Sequence, residues 1–159
     1  SQSGKLRKET AFREKKRSVI GSKVYAICGM AFLAGGNLPG RGTYGEEVER
    51  ALSFVLSCVQ EDGYITHAGT RMYSHAVATL FLAEIYGMTH RDDVRLKLQR
   101  SVDFIVKCQN EQGGWRYAPL ARESDMSIVV CQVLALRAAR VPSPQVPLLR
   151  RASGSAPRL

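Results

Sequence analysis

The stretch RALSFVLSCVQEDGYI, residues 50–65, lies over RSVDFIVKCQNEQGGW, residues 100–115, at a constant offset of 50 residues. Arg50/Arg100, Phe54/Phe104, Cys58/Cys108, Glu61/Glu111 and Gly63/Gly113 coincide without a gap. A repeat of this length points to a stacked array, because a single unit cannot bury its apolar face alone. In the first copy Val48, Leu52, Val55, Leu56 and Val59 recur at helical spacing, and Leu98, Val102, Ile105 and Val106 do so in the second. Each set is one apolar stripe on an amphipathic helix whose other face is wet. The first of these outer helices is expected over about 46–60 and the second, about one turn longer, over about 92–109. Thr43 followed by Glu46, and Thr89 followed by Asp92, read as caps with an acid in the first turn.

A second kind of segment alternates with the first. Residues 24–36 (VYAICGMAFLAGG), 73–87 (YSHAVATLFLAEIYG) and 125–140 (DMSIVVCQVLALRAAR) are apolar almost all round and share a Leu-Ala step at 33–34, 82–83 and 134–135. Helices of that composition belong between neighbours. Gly35 and Gly36, Gly87 and Pro142 supply their stops. The order inner, outer, inner, outer, inner predicts an all-α fold of about two and a half stacked helical hairpins over residues 18–140.

Composition narrows the function classes. A chain of 159 residues holds one ordinary core, and 45% hydrophobic with 23% charged residues is a globular balance. The net charge of +9 sits at the ends: residues 1–17 carry +5, residues 141–159 carry +3, and the body between them only +1. The first segment reads as a basic, flexible arm and the last, with four of the six prolines, as a disordered tail. Specific nucleic-acid recognition is not expected, since no aromatic interleaving accompanies the basic residues. No apolar stretch reaches the ~20 residues of a transmembrane helix. The start lacks an apolar signal segment before Val19 and has the look of a cut end, so a cytoplasmic setting is expected, with peripheral membrane contact compatible. Cys28, Cys58, Cys108 and Cys131 include no CxxC pair and are expected as reduced, buried small hydrophobes.

Residues 100–115 resemble the QW motif of the prenyltransferase and squalene oxidase repeat: a basic residue (Arg100), an aromatic (Phe104), aliphatics (Ile105, Val106), then Gln109, Gly113 and Trp115 in Gln-x-x-x-Gly-x-Trp. In the first copy Val59 replaces the Gln and Ile65 the Trp. The resemblance covers about residues 18–140 and implies the α/α-toroid of the terpenoid cyclases, squalene-hopene cyclases among them, and of protein prenyltransferase β subunits. There, inner helices surround an apolar cavity and outer helices enclose them. It also implies a structural role for Gln109, Gly113 and Trp115, which agrees with a lone Trp behind a Gly-Gly turn. The ring needs about five to seven hairpins, so this chain is expected to be a partial one, completed by further repeats or by self-association.

Laying the cyclase Asp-x-Asp-Asp-Thr motif over residues 123–127 puts Asp125 at the central, proton-donating position, Glu123 at the first, Met126 in place of the last Asp and Ser127 in place of Thr. The resemblance thus implies Asp125 and Glu123 as catalytic candidates, acting by protonation of an alkene in a dry cavity. His75, at the start of the middle inner helix, is a third candidate, able to tune Asp125 if the two pair. Capping is the ordinary use of such residues at a helix start. Tyr73, Phe81 and Tyr117 are candidates to line a cavity for a long isoprenoid, or equally for core packing. Ser127 stands where prenyltransferases have a zinc-binding Cys, and no His follows His90, so neither a metal nor a cofactor is expected. Two functions follow: a fragment of an isoprenoid-binding, cyclase-like protein, itself inactive, or a non-catalytic helical-repeat scaffold for protein–protein interaction.

Overall fold

Both kinds of segment become helices. The computed structural model describes residues 21–140, and within them lie α1 (Ser22–Ala34), α2 (Gly45–Ser57), α3 (Met72–Thr89), α4 (Asp92–Lys107) and α5 (Met126–Arg140), with no strand among the described residues. The fold class is therefore all-α. The basic segment 1–17 and the Pro-rich segment 141–159 lie outside the described residues.

The helix α3 is the centre of the molecule. It packs against α1, against α5 and against α4, while α2 covers α1. The three apolar segments thus form a row, α1–α3–α5, and the two amphipathic helices lie over it. The stripe of α2 (Val48, Leu52, Val55) and that of α4 (Leu98, Val102, Ile105) are buried, as their spacing requires. Side chains tie α2 to α4: the Arg91 guanidinium donates to both carboxylate oxygens of Glu49 at 2.9 and 2.8 Å, and Lys97 Nζ donates to the Leu56 carbonyl at 2.6 Å. Since the earlier residue of α2 meets the earlier residue at α4 and the later meets the later, the two outer helices run in the same direction. Between α1 and α3 the approach is close. A Cβ on Gly29 would stand 2.5 Å from the buried ring of Phe81, so only glycine fits beneath it.

Several boundaries differ from the sequence reading, each for a local reason. Neither Thr43 nor Thr89 caps a helix. Asn37 accepts the Tyr44 N–H at 3.0 Å through its side-chain oxygen, and α2 begins behind that bridge. Thr89 still belongs to α3, where its hydroxyl donates to the Ile85 carbonyl at 2.8 Å. Gly87 does not stop α3; His90 ends it in the left-handed conformation (φ 54°), and only Arg91 separates it from α4. Glu46 in α2 and Asp92 in α4 stand in the first turns as expected, and Glu47 and Asp93 join them there. Of the cysteines, all four free, Cys58 and Cys108 are buried and burial pushes both thiols up, but Cys131 is only partly buried and Cys28 is exposed on α1. That exposure belongs to a wider departure: α3 is enclosed by its neighbours, whereas α1 and α5, at the two ends of the row, each leave an apolar side open.

Candidate functional site

The repeated turns build the joints of the molecule. After α2, Cys58 N–H donates to Phe54, Gln60 N–H to Tyr64 and Gly63 N–H to Gln60; after α4, Cys108 N–H donates to Phe104, Asn110 N–H to Gly114 and Gly113 N–H to Asn110. The two turns share this bonding pattern at an offset of 50, and each closes on a glycine with positive φ, 91° at Gly63 and 84° at Gly113. In the second turn Gln109 Nε2 donates to the Gly113 carbonyl at 2.9 Å, and the buried indole of Trp115 donates from Nε1 to the Ile105 carbonyl at 2.8 Å. The three motif residues thus fold the end of α4 back on itself.

In the first turn the place of Trp115 is taken by Ile65, and the hydrogen bond goes to a different partner. The Ile65 N–H donates to Nδ1 of His75 at 3.0 Å, and the other ring nitrogen, Nε2, lies 3.2 Å from the Ser101 carbonyl. An amide N–H can only donate and a carbonyl can only accept, so the imidazole is neutral with its proton on Nε2. His75 is fully buried against the rings of Tyr64 and Phe104, and that burial lowers its pKa to about 4. One side chain from α3 therefore clasps the loop after α2 to the middle of α4. With both nitrogens committed, it does not pair with Asp125.

Asp125 immediately precedes α5. Its carboxylate accepts the Ser127 N–H at 2.9 Å and the Ser127 hydroxyl, and its own N–H donates to the Trp115 carbonyl at 2.8 Å. The side-chain bond from Ser127 is the main cause that holds its carboxyl below the usual range. This is the geometry of an N-cap. Asp125 is ionised at neutral pH, whereas alkene protonation requires the neutral acid. Glu123 is well exposed and paired with Arg116. Phe81 sits in the core between α1 and α3, while Tyr73 and Tyr117 are exposed. The structure brings these two tyrosines to one end of α3, where the Met72 N–H donates to the Tyr117 carbonyl at 3.0 Å, and Lys23 Nζ lies 5.2 Å over the Tyr73 ring.

Compared with protein-family models, with curated proteins and with solved structures, the chain matches none.

Clefts occur elsewhere on the surface. One of about 630 Å³ lies between the turn after α4 (Gln109, Glu111) and Leu120–Arg122; two more, of about 700 and 300 Å³, flank the α1/α2 pair and share Tyr25 and Arg50. None of the three is lined by Asp125, Glu123, His75, Tyr73, Phe81 or Tyr117. Among the described residues no three His, Cys, Asp or Glu side chains come together as a metal site would require, nor is any helix long and apolar enough to cross a membrane. Two polar residues escaped the sequence reading. Gln132, fully buried on α5, donates from Nε2 to the Met72 carbonyl at 3.0 Å and ties α5 to the first turn of α3. Asn110 organises the second turn, accepting the Gln112 and Gly114 N–H groups and donating to the Arg122 carbonyl and the Ser124 hydroxyl. A lone amide inside SIVVCQVLAL was the signal for the first; the second had none beyond its place before Gly-Gly.

Proposed function

We propose that this chain is a non-catalytic helical-repeat module that uses its row of apolar helices to bind another macromolecule. The observation that carries this reading is the employment of the residues singled out for chemistry. Asp125 is an ionised, half-buried helix cap, His75 is a neutral clasp saturated by Ile65 and Ser101, and Trp115 and Gln109 close a turn. A proton donor to an alkene needs a dry cavity and a raised pKa, and the acid here has solvent and a lowered one. The test is incubation of the protein with squalene and with prenyl diphosphates, with wild type beside Asp125→Asn, followed by product analysis and a thermal melt. The expected outcome is no product from either protein and a nearly unchanged melt, because Asn also caps a helix. A cyclised product formed by wild type and lost in Asp125→Asn would overturn the scaffold reading.

The second reading is a portion of an α/α-toroid whose complete ring binds, and cyclises, a long isoprenoid. It is favoured by the paired turns at an offset of 50 and by the alternation of a row of apolar helices with an outer pair. On that reading the exposed Tyr73 and Tyr117 would stand at the rim of the cavity.

A further inference from the structure

We propose that the cleft between the turn after α4 and the loop leading to α5 is a binding site for a short zwitterionic peptide, its free amine set on Glu111 and its free carboxylate on Arg122. The two copies of the turn show where the cleft comes from. From Ile65 the first copy reaches α3 through residues 66–71, whereas from Trp115 the second reaches α5 through residues 116–125, four residues more. Extra residues in one copy of a repeat form a surface loop, often on the face that binds. Here they supply Leu120, Ala121 and Arg122 as one wall of the 630 Å³ cleft, opposite Gln109 and Glu111 of the turn.

The two walls are fastened to each other. Asn110 donates from Nδ2 to the Arg122 carbonyl at 3.1 Å and to the Ser124 hydroxyl at 3.0 Å, so the cleft is formed before anything enters it. Leu120 holds the left-handed conformation (φ 57°), with its side chain 66% exposed at the rim. A bulky residue in that region is an outlier, and backbone outliers of this kind gather where a ligand is held. On the facing wall Gln109 Oε1 is buried with no hydrogen-bond partner among the described residues, an acceptor without the donor such an atom normally has; Val59 stands in that place in the first turn.

Charge selects the occupant. Among the described residues neither Glu111 nor Arg122 has an ion-pair partner, and Glu123, the acid next to Arg122 along the chain, is taken by Arg116. A ligand of a single sign is repelled by one of the two: Glu111 disfavours phosphates and other anions, Arg122 disfavours cations. An uncharged ligand such as a sugar strips water from both charges and answers neither. A zwitterion answers both, and between its charges the side-chain amides of Gln109 and Gln112 and the apolar surface of Leu120 and Ala121 match a peptide backbone with small side chains. A tripeptide is within the size that clefts of about 300–1,000 Å³ take. None of the lining residues belongs to α1, α3 or α5, so the site goes beyond the function proposed above and does not depend on it.

Titration of the ¹⁵N-labelled full chain with trialanine, followed by amide chemical shifts, tests this. Wild type is expected to show saturable shifts centred on Gln109–Gln112 and Leu120–Arg122, with a Kd of about 0.1–1 mM. Trialanine acetylated at its amine, or amidated at its carboxyl, is expected to bind about three- to tenfold more weakly. In Glu111→Gln the acetylated and free-amine peptides should bind alike while the amidated one stays weaker; in Arg122→Gln the pattern should reverse. Both side chains are exposed, and circular dichroism should show the fold unchanged. Should either variant unfold, the two blocked peptides on wild type decide the matter. No saturable shift at about 10 mM trialanine, shifts centred elsewhere on the molecule, or blocked peptides that bind wild type as tightly as free trialanine each overturn the proposal.

Discussion

At the scale of single residues the molecule depends on His75 and on the glycine opposite it in the first turn. The unfolded chain takes up a proton on His75 near pH 6.5, while the folded protein resists until about pH 4. Stability from this residue is therefore full above about 6.5 and falls as the pH drops towards 4, by about 3 kcal/mol over the whole window. Urea denaturation of wild type and His75→Gln at pH 7.5, 5.5 and 4.5 checks the sign. The variant is expected to be weaker at pH 7.5, and the gap between the two proteins to narrow as the pH falls. Gly63 is the other fixed point. Its φ is 91°, and a Cβ there would stand 2.1 Å from the Arg100 carbonyl oxygen of α4, so the turn after α2 can press against α4 only as glycine. Gly63→Ala combines left-handed strain with a backbone clash and is expected to cost about 2–4 kcal/mol, read as a lower denaturation midpoint.

At the scale of the element, the same turn closed twice invites a comparison of its two fillings. Trp115→Phe keeps the ring but leaves the Ile105 carbonyl without its donor, for an expected loss of about 1–3 kcal/mol. Trp115→Ala also empties the site and is expected to cost about 3–5 kcal/mol. Circular dichroism is the measurement to use, because Trp115 is the one tryptophan of the chain and its fluorescence leaves with it. The helices themselves were legible in the sequence: a stripe of period 3.6 and an offset of 50 survive any choice of partner, since burial demands them. The ends were not. Thr43 and Thr89 have the chemistry of caps, yet an Asn37 six residues upstream and a two-residue connection at His90 and Arg91 took that work, and neither is a local signal. The same holds for His75. Its helical position was plain, but its partners are an amide 10 residues before it and a carbonyl 26 residues after it, pairings that only tertiary structure creates.

At the scale of the whole molecule, the row α1–α3–α5 ends on two helices that each leave apolar side chains open among the described residues. An array of so few units is near the lower limit for a stacked core. The resemblance implies Asp125 and Glu123 at one helix start, with His75 able to tune Asp125 only if the two pair. The molecule distributes them instead, one to a clasp between hairpins and two to the approach to α5, because polar residues at helix starts answer first to unsatisfied N–H groups nearby.

The proton on Nε2 of His75 carries a last consequence. It points at a carbonyl in the interior, shut away from water on every side, and it can be traded for deuterium only when the loop behind α2 parts from α4. That one hydrogen is a clock built into the seam: its rate of replacement in heavy water measures how often the two hairpins come apart, without any label being added.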